Sequence, residues 1–532
     1  MYECPNCADN LQFDIACQQL LCRHCNTMVD PYSFNKEKDA EETTEYHVTV
    51  FTCRQCGGKI LSEDTTAATF CSFCGTAAIL DSRIRKEKRP ERIIPFTRTK
   101  EDCKKAYVKM MRRAIFAPRE LKKAEHIEKF RGIYMPYWIY SFENKGEISF
   151  SGSRSHRRGD YLHTKHYTLK SYVDASYQGI SYDASAAFSD TLSSAIAPFD
   201  LTQEKPFTPS FLSGFYADTG DVDRWVYQNE AQDMVLDDGF RYMSKNIVCK
   251  WYHVDDKNEY SLKNALRPGC TNQDLVMLPV WFLSYRNKDR VAYAVVNGQT
   301  GKAAADLPVD RKKYIIGSLI LALPLFFLLN IFFTVKPNIL LWLSILLALV
   351  CGVISGVQMT HIRRKESGED DKGLVYKRCK NKGWMYYSDT GHRKKSTGSS
   401  VGGIFFTIFA TILSCMALQP IFLMELVRGG SGLVTGMIAL LLFAGIIMRP
   451  KIQKMELSLK DIFSCLVKPA AVILLSLFIL LIHPVSDLYY YGGAIAALCA
   501  VIWNLMDIIG RYNVLTTRKL PQFNRRGGDD IA

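Results

Sequence analysis

The sequence predicts a multi-domain protein with two N-terminal Cys4 ribbons, an α+β domain and a C-terminal all-α transmembrane bundle. Three observations predict this architecture: paired cysteines crowd the first 74 residues, aromatic strand-like stretches follow residue 132, and long apolar runs begin after residue 310. Such shifts in composition along 532 residues indicate several separate parts. The expected boundaries are 1–30 and 47–82 for the ribbons, 31–46 for an acidic linker, 83–131 for a basic helical segment, 132–310 for the α+β domain and 311–532 for the apolar region.

The N-terminal cysteines form two sets with the same spacing. In each set two C-x2-C pairs are separated by 14 residues, and corresponding cysteines of the two sets lie 49 residues apart. Two such pairs facing each other make a closed tetrahedral S4 site, which is typical of structural Zn²⁺. We therefore expect two structural zinc ions, held by Cys4, Cys7, Cys22 and Cys25 in the first ribbon and by Cys53, Cys56, Cys71 and Cys74 in the second.

Redox pairs or disulfides are the alternative for these cysteines. We see no secretory signal before them and no thioredoxin-like βαβ pattern around them, so zinc is favoured. Eight of the 17 cysteines belong to the two sets, and the scatter of the other nine fits a reducing compartment. Cys17 lies inside the first ribbon but outside the regular pairing, so it is predicted not to be a ligand.

The net charge of +14 is not spread evenly along the chain. Residues 311–532 hold 26 Lys and Arg against 12 Asp and Glu, whereas residues 1–310 hold 41 of each. The ribbon segment 1–82 has 5 basic and 12 acidic residues, a net charge of −7. Because an acidic surface repels phosphate, nucleic acid is not an expected partner of the ribbons.

Six long apolar runs follow residue 310, which predicts a multi-pass membrane region. The loops predicted to lie on one side of the membrane carry 21 Lys and Arg (11 in 361–400, 5 in 449–468 and 5 in 511–532), and the opposite loops carry 2. This asymmetry predicts that both termini and the α+β domain are cytoplasmic. The runs are 315–335, 339–359, 404–424, 431–448, 469–485 and 490–510, of which the fourth and fifth are the shortest.

The segment 83–131 is strongly basic, with 18 Lys and Arg against 7 acidic residues. Thr99 and Asp102 have the spacing of a helix N-terminus, and Pro118 to Gly132 predict a second helix that begins and ends at those residues. The basic faces of such helices could contact anionic lipid headgroups, bind nucleic acid, or remain solvated and balance the acidic ribbons.

The α+β domain contains an internal repeat. Residues 135–145 (MPYWIYSFENK) match residues 278–288 (LPVWFLSYRNK) at an offset of 143. In each copy a proline opens an aromatic strand and Asn-Lys predicts a turn into the next strand. Trp138 and Trp281 are predicted to be core residues, so the repeat indicates a duplicated strand–turn–strand unit.

Two motifs resemble functional sites and fall short of them. Gly298 to Lys302 lacks the spacing of a phosphate-binding loop and predicts a turn. His156, His163 and His166 lie among arginines, where an exposed polar hairpin is the default and a metal or phosphate site the alternative. No nucleophile–base or paired-carboxylate pattern is evident, so an enzyme is not expected.

The motifs Ile93-Ile-Pro-Phe96, Phe130 to Trp138 and Leu278-Pro-Val-Trp281, behind N-terminal Cys4 ribbons, resemble bacterial zinc-ribbon membrane proteins. These are often named TFIIB-type zinc-ribbon proteins, or relatives of the primosomal helicase, although this chain has no phosphate loop. The resemblance covers about residues 1–310 and implies location in the bacterial inner membrane. It also implies cytoplasmic partners of the membrane-remodelling or envelope-stress type.

Three functions remain open from the sequence. The first is a cytoplasm-facing scaffold or sensor that recruits cytoplasmic proteins to the membrane and contacts membrane lipids. The second is a transporter or permease-like component with the ribbons as a regulatory head, and the third is a membrane tether for nucleic acid.

Overall fold

The computed structural model describes residues 2–37, 45–53, 55–56, 58–61, 71, 73–74, 81–243, 263–264, 266–332, 337–381, 459–482 and 484–520. Two compact units contain them. The first, called the head, comprises Met1–Phe332, Arg364–Tyr386 and Ile509–Ala532; the second comprises Phe333–Arg363 and Tyr387–Ile508. The predicted runs 404–424 and 431–448 lie outside the described residues.

The first ribbon has a three-stranded antiparallel sheet of its own. Its strands are β1 (Leu11–Asp14), β2 (Gln19–Cys22) and β3 (Met28–Val29), in the order β1-β2-β3. Side chains alternate in burial along β1, so Leu11 and Phe13 face the core of the head. Within the expected acidic linker, residues Pro31–Glu37 form a 3₁₀ helix, and Ser210 Oγ donates a 2.8 Å hydrogen bond to Pro31 O.

The second ribbon contributes its strands to a large mixed sheet. These strands are β4 (Glu45–Thr52) and β5 (Lys59–Leu61), and β6 (Asp81–Lys88) pairs with β4 along its whole length. The sheet has twelve strands, and β11 (Tyr216–Ala217) joins the ribbon to the rest by pairing with β5 on one side and β8 on the other.

Two long strands form the centre of this sheet. They are β8 (Arg131–Arg158) and β12 (Gly269–Asn287), which run antiparallel, and β8 continues into a hairpin with β9 (Tyr161–Asp183). The remaining strands are β7 (Arg92–Ile93), β10 (Lys205–Pro206), β13 (Arg290–Asn297), β14 (Ala303–Ala305) and β15 (Arg518–Lys519). The path of the sheet is β10-β7-β12-β8-β11-β5-β4-β6, with β9 on β8, and β13 joined to β12, β14 and β15.

The two copies of the sequence repeat lie on these neighbouring central strands, where Met135 is opposite Leu278. Trp138 and Trp281 are both buried, as predicted. The predicted Asn-Lys turn forms in the second copy, where β12 ends at Asn287 and Lys288 has a φ of 54°. The turn prediction is wrong for the first copy, because Asn144 and Lys145 pair with Ala175 and Asp174 inside the long β8–β9 hairpin.

The first predicted helix of the basic segment forms as α1 (Lys100–Arg113). Thr99 is its N-cap and makes the reciprocal capping box with Asp102, while Cys103, Tyr107 and Met111 face the core. The predicted second helix from Pro118 to Gly132 is wrong: Arg119–Lys122 is a 3₁₀ turn, α2 covers only Ala124–Ile127, and Gly132 lies in β8. Gly132 permits close packing, since a Cβ there would lie 2.6 Å from the Phe215 ring.

Helices α3 (Asp190–Ile196) and α4 (Gln228–Tyr242) complete the mixed α/β body of the head. Helices then follow at four of the six predicted runs: α5 (Arg311–Phe332), α6 (Pro337–Ser367), α8 (Leu459–Ile482) and α9 (Asp487–Leu515), with the shorter α7 at Lys372–Asn381. Within the described residues, two stretches are long and apolar enough to cross a membrane, Leu343–Ser367 and Leu488–Leu515, and Val467–Ile482 is a shorter apolar helix.

Candidate metal centres and the docking of the C-terminal segments

The first group of cysteines is brought together by two similar turns. After Cys4 and Cys7 the chain turns so that Ala8 N donates to Cys4 O at 2.9 Å, and after Cys22 and Cys25 it turns so that Asn26 N donates to Cys22 O at 2.9 Å. Ala8 and Asn26 both have positive φ, 58° and 54°. This shared geometry explains why C-x2-C presents two thiols from one tight turn.

The four Sγ atoms of the first group lie within 4.8 Å of one another. Three of the Sγ–Sγ distances, Cys4–Cys25, Cys7–Cys22 and Cys7–Cys25, are 3.4 Å. Cys17 is not a member of the group, and its Sγ faces Gln19 O instead, as the spacing predicts.

The second group also has four Sγ atoms within 4.8 Å of one another. Cys53 to Cys74 and Cys56 to Cys71 are each 3.7 Å apart. The first turn of the group is held by Cys53 N, which donates to Gly58 O at 2.9 Å. All four side chains are buried, with exposed fractions of 2% or less.

Both groups fit a tetrahedral thiolate site. Zn–S bonds of 2.3 Å in a regular tetrahedron place the sulfurs about 3.8 Å apart, close to the observed spacings. Each group offers four sulfur donors, which suits Zn²⁺ or another soft ion. All eight cysteines are free thiols, so the disulfide alternative does not describe this structure.

Local hydrogen bonds favour the thiolate form of at least one cysteine in each group. The Thr27 hydroxyl, 3.0 Å from Cys25 Sγ, lowers the pKa of Cys25 to about 6, with help from the Thr27 backbone. The neighbouring thiols of Cys56 and Cys71 lower the pKa of Cys53 to about 6. Because thiolate is the form that binds metal, these lowered pKa values favour metal binding at both groups.

A second feature of the head has no signal in the sequence. The C-terminal ends of α6 and α9 and the residues that follow them, 364–381 and 509–520, fold onto the α/β body, and we call them the docking segments. Segment 509–520 supplies β15, which pairs with β13 so that Arg290 lies opposite Lys519. The Asn513 side chain also makes two hydrogen bonds with the Val309 backbone, of 2.7 and 2.8 Å.

Arg290 connects both docking segments to the body. Its guanidinium donates to Thr517 Oγ1 at 2.7 Å, to Thr517 O at 3.0 Å and to Val514 O at 2.8 Å. It also pairs with Glu366 at 2.9 Å, and Glu366 pairs with Lys519 at 3.3 Å. A planar guanidinium with five donors is suited to this multiple contact, which a lysine could not reproduce.

The N-terminus of α7 is held by two carboxylates, of which Asp371 is buried and Asp190 half-buried. Asp190 accepts from Lys372 N at 2.9 Å and from Tyr227 OH at 2.7 Å. Asp371 accepts from Leu374 N at 3.0 Å as a helix cap, and Arg518 lies 3.7 Å from it. Burial, together with the charge of Asp190, raises the pKa of Asp371 to about 7. Farther along α7, Lys377 pairs with Asp221, and Tyr376 is buried with its hydroxyl bonded to Asp223.

Fold and sites together define a mixed α/β protein with two tetra-cysteine groups and C-terminal apolar helices. No family model and no solved structure matches the chain. The chain is similar to "Uncharacterized protein YdjG" of Bacillus subtilis (strain 168), with 29% identity over 324 residues that cover 59% of this chain and 91% of that protein. That relative is therefore shorter than this chain, and its name states no activity.

Proposed function

We propose that this protein is a non-enzymatic membrane scaffold or sensor of the TFIIB-type zinc-ribbon class, whose head recruits a cytoplasmic protein to the bacterial inner membrane. In this proposal each Cys4 group holds one structural Zn²⁺, the apolar region crosses the membrane several times, and both termini are cytoplasmic. The head supplies ordered protein surfaces, and the apolar helices supply the anchor.

The docking segments carry this proposal. Segments 364–381 and 509–520 leave apolar helices and are folded into the same compact unit as the Cys4 groups. A head on a flexible tether would need no such contacts, whereas a sensor needs its head coupled to the ends of its membrane helices. Arg290, which bonds both segments, gives that coupling a physical connection.

The apolar helices support the anchor. Leu343–Ser367 and Leu488–Leu515 have the length and composition of membrane spans. Helix α5 exposes consecutive large apolar side chains such as Ile320, Leu321, Phe326 and Phe327, each more than half exposed. A water-soluble protein rarely exposes a patch of this kind, and a lipid environment removes its cost. The 21-to-2 asymmetry of Lys and Arg in the loops supports cytoplasmic termini.

The test of recruitment is crosslinking of the full-length protein in cells, followed by purification from membranes. One cytoplasmic protein is expected at a fixed ratio to the wild-type chain. The Cys4→Ser/Cys25→Ser variant, which disables the first Cys4 group, should lose that protein while staying in the membrane. The matched control is Cys17→Ser, which removes a nearby thiol that lies outside the group. Equal recovery with both variants, or recovery of nucleic acid in place of protein, would reject the proposal.

Metal and topology are tested separately. Elemental analysis of the full-length protein should find two zinc ions per chain. The full chain is needed because the second ribbon shares strands with the large sheet through β11, so residues 1–82 do not form a complete folding unit. A reporter that works only in the cytoplasm should be active when it is fused after Ala532, and a reporter that works only in the periplasm should be inactive there. Activity of the periplasmic reporter would refute the orientation.

A further inference from the structure

The β8–β9 hairpin extends beyond the rest of the sheet as a two-stranded arm. Pairing continues without interruption from Glu143 opposite Ser176 to Arg158 opposite Tyr161, with Gly159 and Asp160 in the turn. From residue 154 to residue 168 every side chain is exposed. The sequence predicted an exposed polar hairpin here, and the structure confirms it. The outer part of the arm, residues 154–168, has two solvated faces, so its exposed side chains are available as a contact surface.

The two faces of the arm differ in chemistry. Because side chains alternate along a strand, the register assigns residues to faces. One face, which we call the basic face, carries Arg154, His156, Arg158, Tyr161, His163, Lys165 and Tyr167. The opposite face carries mostly small hydroxyl residues, namely Ser151, Ser153, Ser155, Thr164 and Thr168, together with Arg157, Leu162 and His166.

The charged residues of the basic face repel one another. Arg154 lies directly opposite Lys165, and like charges in this position repel each other. The rings of His156 and His163 stack with centroids 5.4 Å apart on the same face. Within the described part of the chain, Arg154, Arg158 and Lys165 form no ion pair. A concentration of uncompensated cations on one face is complementary to an anionic surface.

The basic face begins at the point along the arm where α4 no longer packs on it. Closer to its base the same face carries Ile148 and Leu169, which pack in a cluster with Leu236 and Phe240 of α4. Between Leu169 and the tip, the same face carries the cations instead of covered apolar side chains. The arm is therefore anchored at its base and presents the basic face from an ordered scaffold.

The tip of the arm is apolar. Tyr161 and Leu162 directly follow the turn and are 76% and 69% exposed. Tyrosine favours the boundary between water and lipid, and leucine gains by entering the acyl region beneath it. Arginines at positions 157 and 158 flank this tip on the partner strand. An apolar tip with cations behind it matches an anionic bilayer, in which the apolar interior lies beneath charged headgroups.

We propose that the β8–β9 arm binds the surface of an anionic lipid bilayer, with Tyr161 and Leu162 inserted at the interface and Arg154, Arg158 and Lys165 on the headgroups. A nucleic-acid groove can admit a two-stranded ribbon and would match the cations. It offers no apolar phase for an exposed leucine at the tip, and this distinction favours the bilayer. The membrane contact is additional to the apolar helices and to the recruitment of a protein partner.

The experiment uses the full-length protein in nanodiscs, with a genetically encoded, environment-sensitive fluorescent amino acid in place of Leu162. On phosphatidylcholine discs the emission should match that of a solvent-exposed probe. On discs containing phosphatidylglycerol, or after addition of phosphatidylglycerol vesicles, the emission should shift to the blue, and the shift should weaken as salt rises. The discs and the vesicles distinguish contact with the protein's own bilayer from contact with another one.

Two charge variants with equal loss of charge sharpen the test. Arg154→Gln/Lys165→Gln removes two cations from the basic face and should weaken vesicle binding about 25-fold, at about fivefold per charge. Lys145→Gln/Lys170→Gln removes two cations from the opposite face at the base of the arm, away from the tip, and should weaken it less than fivefold. All four positions are exposed, and unchanged zinc content and unfolding midpoint would verify folding. Equal effects of the two variants, no blue shift on anionic lipid, or tighter binding to a DNA duplex than to vesicles would overturn the proposal.

Discussion

The two Cys4 groups have the same ligand spacing and different surroundings. The first sits on its own three-stranded sheet, with Cys7 half-buried and Cys25 exposed. The second is fully buried, and its strands belong to the twelve-stranded sheet of the head. Phe73, between its last two ligands, contacts Phe282 and accepts a 2.7 Å hydrogen bond from Tyr293 OH. Spacing thus defines the ligands, while the surrounding fold decides how much of the protein depends on each metal.

The largest difference is expected from removal of one ligand in each group. Cys71→Ser should prevent the head from folding, because a structural zinc contributes about 10–16 kcal/mol of apparent folding free energy, as much as the stability of a whole domain. Cys25→Ser should unfold the first ribbon and only weaken the large sheet, which loses the packing of Leu11 and Phe13 but keeps the pairing of its own strands. Solubility and near-ultraviolet circular dichroism of the purified variants measure this. Equal loss of structure in both would show that the two ribbons fold as one unit.

Chelation should distinguish the two sites kinetically. Cys25 is exposed and gives a chelator direct access, whereas all four ligands of the second group are covered. One zinc per chain should therefore leave at least about tenfold faster than the other, since the second requires local opening of the sheet. A zinc-sensitive dye records both phases, and mass spectrometry of alkylated thiols assigns them. A single phase, or earlier alkylation of Cys53 than of Cys25, would contradict the comparison.

The attachment of the second ribbon should be stronger than that of the segment beside the first. Tyr293→Phe removes the 2.7 Å hydrogen bond to the buried Phe73 carbonyl and should lower the free energy of unfolding by about 1–3 kcal/mol. Tyr32→Phe is the matched control: it removes a 3.0 Å hydrogen bond to Pro206 O that is open to solvent, and should cost less than about 1 kcal/mol. Chemical denaturation of the two variants gives the values, and a larger loss for Tyr32→Phe would reverse the ranking.

The smallest expected effect is the change in stability between pH 6 and pH 8 that comes from the junction of the second ribbon. Asp218 directly follows β11, the strand that pairs with β5, and burial raises its pKa to about 7. In the unfolded chain this carboxyl has a pKa of about 3.9. The folded protein therefore retains the proton between these values, and stability falls as pH rises from about 4 to about 7.

Between pH 6 and pH 8 the loss from Asp218 should be about 1 kcal/mol. Asp218→Asn keeps a neutral side chain of similar shape and should flatten this part of the pH profile. Thermal unfolding midpoints of wild type and variant at the two pH values test the effect. An unchanged pH profile in the variant would assign the dependence to other groups, such as Asp371.

Local chemistry explains what the sequence predicts correctly. The C-x2-C spacing locates all eight thiols, because each pair depends only on one short turn. The capping box at Thr99, the turn at Gly298 to Gly301, the burial of Trp138 and Trp281 and the exposed hairpin at His156 and His163 are likewise encoded within a few residues. Membrane crossing by all six runs and the cytoplasmic termini remain predictions.

Tertiary structure decides the features that join distant residues. The two repeat copies share a motif, yet only the second turns at Asn287 and Lys288, because the first is held in a long hairpin by its partner β9. The residues around Gly132 predict a helix end, but Gly132 lies in a strand beside the Phe215 ring. Arg290 and Thr517 are 227 residues apart and carry no common motif, so their contact exists only once the sheet brings β13 and β15 together. Neighbouring residues determine short-range hydrogen bonds and the hydrophobic pattern, whereas packing between remote segments depends on the whole fold.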